Sequence, residues 1–209
     1  LWRMAVSSGG KARGAPQQLT TGAGHDVEPA PSPDGARLAF AIRKQNADLW
    51  TLPVDPETGR PTGAPEETIA TQREDSRGSW SPDGRFIAFN SDRTGEMNVW
   101  IHERKDRSER PLTSGPGGDY QATWSPDSRT LVFFSSRSGM PNIWSADVAT
   151  GALRRLTESP SLDINPFFSP DGGSIAFQSD RTGRLEVWVM DAQGGDPRPL
   201  TSVGVGGHF

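Results

Sequence analysis

Ser81-Pro82-Asp83-Gly84 decides the reading of this chain. Near copies of it stand at Ser32-Pro33-Asp34-Gly35, Ser125-Pro126-Asp127-Ser128 and Ser169-Pro170-Asp171-Gly172. They recur every 44 to 49 residues, and a period of that size marks one supersecondary unit used repeatedly. After each copy comes a short apolar run: Arg37-Leu38-Ala39-Phe40, Phe86-Ile87-Ala88-Phe89, Thr130-Leu131-Val132-Phe133 and Ser174-Ile175-Ala176-Phe177. A Pro-Asp-Gly signal ahead of such a run reads as a turn leading into a strand. Apolar residues at successive positions predict a strand covered on both faces.

The rest of the unit follows the same logic. Ser91-Asp92-Arg93-Thr94-Gly95, Ser135-Ser136-Arg137-Ser138-Gly139 and Ser179-Asp180-Arg181-Thr182-Gly183 place a Gly at a constant offset, as a hairpin needing a positive φ requires. A second strand is centred on Trp50, Trp100, Trp144 or Trp188. An outer segment carries Pro111 or Pro199, residues that suit an edge strand. One more strand precedes each Ser-Pro-Asp, running from Asp75 to Trp80, Asp119 to Trp124, Asp163 to Phe168 and, more weakly, Asp26 to Pro31. Four short antiparallel strands cannot bury both apolar faces alone, so the units must stack.

Radial stacking gives an all-β fold, a β-propeller of four-stranded antiparallel blades. A β-solenoid is the rival, but it favours shorter periods and parallel strands. The repeats divide the single domain 1–209 into a leading half blade at 1–20 and whole blades at 21–71, 72–113, 114–157 and 158–201. Residues 202–209 begin a further unit. The expectation is therefore a segment of a longer polypeptide whose open strand edges invite self-association.

Composition narrows the function classes. Apolar residues make up 33%, with 24 Gly and 18 Pro, a balance that fits many short strands and tight turns. Seven Trp and nine Phe supply large burial units. A net charge of −4 offers no electrostatic case for nucleic acid or an anionic membrane. The absence of Cys excludes disulfides and thiolate zinc sites. No apolar run reaches membrane-spanning length. No signal peptide is visible, and the chain opens on Leu1-Trp2-Arg3 rather than Met.

The run Trp-Ser-Pro-Asp-Gly-x-x-Ile-Ala-Phe-x-Ser-Asp-Arg-x-Gly-x-x-x-Val-Trp, taken from Trp80 to Trp100, resembles the WD-like repeat of TolB-family propellers. Similar repeats occur in tricorn and prolyl-oligopeptidase-type peptidases, and in sensor regions of bacterial kinases and transcriptional regulators. The resemblance implies a propeller, commonly six-bladed. For TolB-like members it implies a periplasmic, non-enzymatic hub that binds protein or peptide partners in a cell-envelope system. The peptidase and sensor hosts remain alternatives, because fold does not fix function.

Candidate residues lie where the innermost strands would line a channel. Asp26, Asp75, Asp119 and Asp163 each stand six residues before a Ser-Pro-Asp. A ring of carboxylates suits a hard cation or a basic peptide end, while the structural alternative has each Asp accepting backbone N–H bonds. Two residues on, Glu28, Arg77, Gln121 and Asn165 differ from repeat to repeat. Strand alternation points i and i+2 the same way, so this set is expected to share the channel mouth and encode recognition. The hairpin arginines are expected to pair with nearby carboxylates, such as Asp92 and Asp180, or with an adjacent blade, and the Trp residues to form inter-blade core. No cofactor, metal or catalytic group is expected. No Ser is flanked by Gly at −2 and +2, and there is no P-loop, His-Glu-x-x-His or EF-hand loop.

Overall fold

The computed structural model describes the backbone of residues 2–7, 11–18, 25–31, 38–43 and 47–201, and the side chains of residues 7, 11, 13–17 and 47–201. The chain falls into two compact units, Leu1–Asn46 and Ala47–Phe209. In the first, β1 (Trp2–Val6) pairs with β2 (Ala12–Gln18), and β3 (His25–Pro31) with β4 (Leu38–Arg43), both antiparallel. In the second, β5 (Leu49–Thr51) pairs with β6 (Glu66–Ile69). Residues 21–71 thus contribute one strand pair to each unit.

Three four-stranded sheets follow, each a meander of consecutive strands. The first holds β7 (Asp75–Trp80), β8 (Phe86–Ser91), β9 (Asn98–Glu103) and β10 (Glu109–Pro111). Next come β11 (Asp119–Trp124), β12 (Thr130–Ser135), β13 (Asn142–Asp147) and β14 (Leu153–Arg155). The last is β15 (Asp163–Phe168), β16 (Ser174–Ser179), β17 (Glu186–Asp191) and β18 (Arg198–Pro199). Pro111 and Pro199 lie on edge strands, where a missing N–H breaks no ladder. Among the described residues there is no helix, and hence none long and apolar enough to cross a membrane.

The Ser-Pro-Asp turns explain their own repetition. The Ser81 hydroxyl donates to Asp83 Oδ1 at 2.6 Å and accepts the Phe86 N–H at 3.0 Å, while Asp83 Oδ1 accepts the Arg85 N–H at 3.1 Å. Ser125–Asp127 and Ser169–Asp171 repeat the network. The hydroxyl bond and the backbone N–H bond hold the Asp83, Asp127 and Asp171 carboxyls below the ordinary value of 3.8. Gly84 and Gly172 close their turns at φ 70° and 72°, where a side chain is unfavourable. Ser128 takes the same backbone form at φ 62°, and its hydroxyl accepts the Asp83 N–H of the preceding turn at 3.1 Å. Ser32–Gly35 lies outside the described residues.

Core lies between sheets as well as within them. Phe89, Phe133 and Phe177, equivalent by repeat, are fully buried. Trp100 packs with Ile69, Ile87 and Phe89 against Leu49 of the preceding sheet. Trp188 packs likewise with Val132, Ile143 and Leu156. Trp144 joins the cluster between the first two four-stranded sheets. One expectation fails here: Trp50 is 59% exposed where Trp100 and Trp188 are 8%. It sits on the first sheet of its unit, so no sheet of that unit precedes it to cover the indole. Trp80 is also exposed, whereas Trp124 is buried with its indole N–H on Ser79 O at 2.9 Å.

Candidate functional site

Each four-stranded sheet opens with an Asp, and the structure shows what that Asp does. Asp75, Asp119 and Asp163 are 0%, 2% and 0% exposed. Cross-strand pairing sets them opposite Ser91, Ser135 and Ser179. Two residues past each of these serines the hairpin arginine folds back over the strand pair. Arg93 meets Asp75 Oδ1 at 2.8 Å, Arg137 meets Asp119 Oδ2 at 2.5 Å, and Arg181 grips both Asp163 oxygens at 2.9 and 2.8 Å. Each Nε also donates to the Ser hydroxyl, at 2.9, 3.0 and 3.0 Å. Each guanidinium lies over the repeat Trp, 4.5, 5.3 and 4.7 Å from the ring centre of Trp100, Trp144 and Trp188.

This Asp–Ser–Arg–Trp clasp differs from both expectations for the Asp. The carboxylates accept charge-assisted bonds from arginine rather than a set of backbone N–H bonds, and they are not presented to solvent. The arginines, for their part, pass over Asp92 and Asp180. Those residues accept the N–H of Glu74 at 3.1 Å and of Leu162 at 2.8 Å, fixing the loops that enter the sheets. In the middle sheet Ser136 takes the Asp place, and Gly117 brings the loop so close that a Cβ there would stand 2.5 Å from Arg137 N. The first clasp is extended: Arg93 also binds Glu109, whose other oxygen lies 3.4 Å from His102 Nδ1. Burial works against the Arg93 charge, but Asp75 and Glu109 more than offset it and raise its pKa.

Arg77, Gln121 and Asn165 are separated from these Asp residues by β-bulges. The register slips between Ser76 and Ser79, Tyr120 and Thr123, and Ile164 and Phe167. The extra residue sits in the left-handed region, with φ 55° at Arg77, 54° at Gln121 and 54° at Asn165. Simple alternation therefore breaks down. Asp75 is buried while Arg77 is exposed, and Gln121 and Asn165 are half-buried. The bulges are held in place: Asn90 Oδ1 accepts the Gln121 N–H at 3.1 Å while its amide donates to Asp119 O at 2.7 Å. Asn165 donates to Gln178 Oε1 at 2.8 Å. Asp26 and Glu28 lie on β3, but their side chains fall outside the described residues.

Among the described residues no group of three His, Cys, Asp or Glu is placed to hold a metal. A shallow depression of about 620 Å³ lies at the turn end of the first four-stranded sheet, lined by Asp83, Gly84, Arg85, Glu103, Arg104 and Lys105. It mixes both signs of charge, and it borders the turn after β7 rather than the bulge within that strand.

The profile of the TolB beta propeller domain family (PD40) matches residues 61–158 and again 123–207. Among solved structures, the chain is similar to a putative TolB from Agrobacterium tumefaciens, at 26% identity and a TM-score of 0.64, covering 90% of this chain and 69% of that one. It is also similar to TolB from Acinetobacter baumannii, at 25% identity and a TM-score of 0.65, covering 90% of this chain and 46% of that one. A puromycin-hydrolysing peptidase of Mycobacterium tuberculosis shares the fold, at 22% identity and a TM-score of 0.57, covering 89% of this chain and 30% of the peptidase. The chain spans less than a third of the curated relatives it matches.

Proposed function

Because this chain belongs to the TolB β-propeller domain family, we propose that it is a non-enzymatic module that binds a protein or peptide, within a cell-envelope or transport complex of the bacterial periplasm. One observation carries the reading. The three four-stranded repeats agree at every residue of the clasp and disagree at the bulges, where Arg77, Gln121 and Asn165 reach solvent, while the first repeat has Ile42 and Lys44 at the Ser and Arg places. Repetition maintains a scaffold; variation on a rigid scaffold is where a partner is read. Asp75, Asp119 and Asp163 support that surface from beneath, and Asp26 and Glu28 belong to the same set by repeat position.

A photo-crosslinking residue at Gln121 tests this, illuminated in periplasmic extract of the source bacterium. The reading expects a discrete protein adduct that disappears when the probe moves to Arg129, on the turn side of the same sheet. Equal labelling from both positions, or none from Gln121, contradicts it. A second reading is favoured by the fold shared with the mycobacterial peptidase: a propeller that gates a hydrolase domain. It predicts adducts to a hydrolase domain of the same polypeptide instead of a separate protein.

A further inference from the structure

We infer that the bulge positions select an acidic stretch of extended peptide, with Arg77 receiving a carboxylate and Gln121 and Asn165 receiving peptide backbone. This rests on the peptide-binding reading above and names its ligand chemistry.

Three carboxylates at the starts of β7, β11 and β15 would favour a cation if they were free. Each is buried beneath its own guanidinium, so the three pairs cancel. What remains at the bulges of these three sheets is one full charge, the exposed Arg77, whose guanidinium makes no ion pair with another described residue. A guanidinium presents a planar fork of donors that matches a carboxylate.

The other two positions add register. A side-chain amide carries both donors and an acceptor, the complement of a peptide unit. Asn165 spends one donor on Gln178, which leaves its oxygen and a second N–H. β7, β11 and β15 follow one another from sheet to sheet, and β11 contacts both of the others. The three bulges therefore form a row of one cation and two amides. The Gln121 backbone is pinned by Asn90 of the preceding sheet and the Asn165 side chain by Gln178, so less ordering is left to binding at these two positions.

Three fluorescein-labelled, end-capped decapeptides test the inference, with Gly alternating with Glu, Lys or Ser. Binding is read by fluorescence anisotropy at low ionic strength, where charge contributes most. The Glu peptide is expected to bind at least about tenfold tighter than the other two, a difference of about 1.4 kcal/mol. Arg77→Gln should remove that margin without changing the melting temperature. Arg104→Ala combined with Lys105→Ala, at the turn end of the sheet, should leave it intact. If the Lys or Ser peptide binds as well, or if the double variant rather than Arg77→Gln abolishes binding, the inference is overturned while peptide binding stands. If no peptide binds but Gln121 still crosslinks a protein, the acidic-peptide assignment is again wrong. Failure of both experiments removes the peptide-binding reading itself.

Discussion

Arg181→Met separates scaffold from recognition most sharply. The substitution keeps a long apolar stem over Trp188 and Phe177 but removes the guanidinium from Asp163, a carboxylate with no solvent exposure. Breaking a buried pair from one side costs about 3–5 kcal/mol, because the remaining charge is left desolvated and unpaired. The Arg181 side chain is itself 19% exposed, so water reaches part of the site and the lower end, about 3 kcal/mol, is expected. For a domain of this size that lowers the melting temperature by about 6–12 °C. Asp163→Asn should cost a similar amount alone, since the guanidinium then loses its counter-charge. Combining the two should cost much less than their sum, because an apolar–neutral replacement carries no stranded charge. Calorimetric melting of the four proteins gives the cycle. Additive single effects, or an Arg181→Met protein within about 1 kcal/mol of the parent, would refute the clasp as a coupled unit.

Other consequences follow from the same geometry. The indole N–H groups of Trp100, Trp144 and Trp188 have no hydrogen-bond partner among the described residues, so Trp188→Phe should cost under about 1.5 kcal/mol against about 3–5 for Trp188→Ala; equal costs would mean that the N–H is bonded. Gly117→Ala drives a Cβ into Arg137 backbone at φ 102° and should cost more than about 3 kcal/mol, whereas Gly139→Ala, at φ 103° in open space, should cost only its strain of about 1–3; thermal melts of the pair decide. The lowered Asp83, Asp127 and Asp171 carboxyls contribute stability that is present above 3.8 and lost as pH falls through their lower folded values. Replacing Ser81, Ser125 and Ser169 by Ala should therefore flatten the acid limb of the melting curve, and an unchanged limb would assign acid sensitivity elsewhere.

Local chemistry is what the sequence made legible. The Ser-Pro-Asp turn works within six residues, so its repetition located strands, turns and the positive-φ Gly without knowledge of tertiary contacts. The clasp was harder to see. Asp75 and Arg93 stand 18 residues apart, as do Asp119 and Arg137, and Asp163 and Arg181. That constant spacing was available in the sequence, but adjacent Asp92 and Asp180 looked like nearer partners until the hairpin was seen to fold back. The bulges left no signal at all. Arg77 and Gln121 are unusual residues for the left-handed region, and period-two alternation placed them beside buried carboxylates that they do not accompany. Trp50 and Trp144 read alike in sequence, because burial depends on which sheet stands in front of each.

The central claim divides each four-stranded repeat into a clasp that holds the fold and a bulge that reads a ligand. Its most direct test is one paired measurement on Arg77→Gln and Arg93→Met: melting temperature and affinity for the Glu-containing peptide, in the same buffer. The account predicts that Arg77→Gln loses affinity about tenfold at an unchanged melting temperature, while Arg93→Met melts several degrees earlier and still binds when folded. An Arg77→Gln protein that melts early with its affinity intact would contradict it.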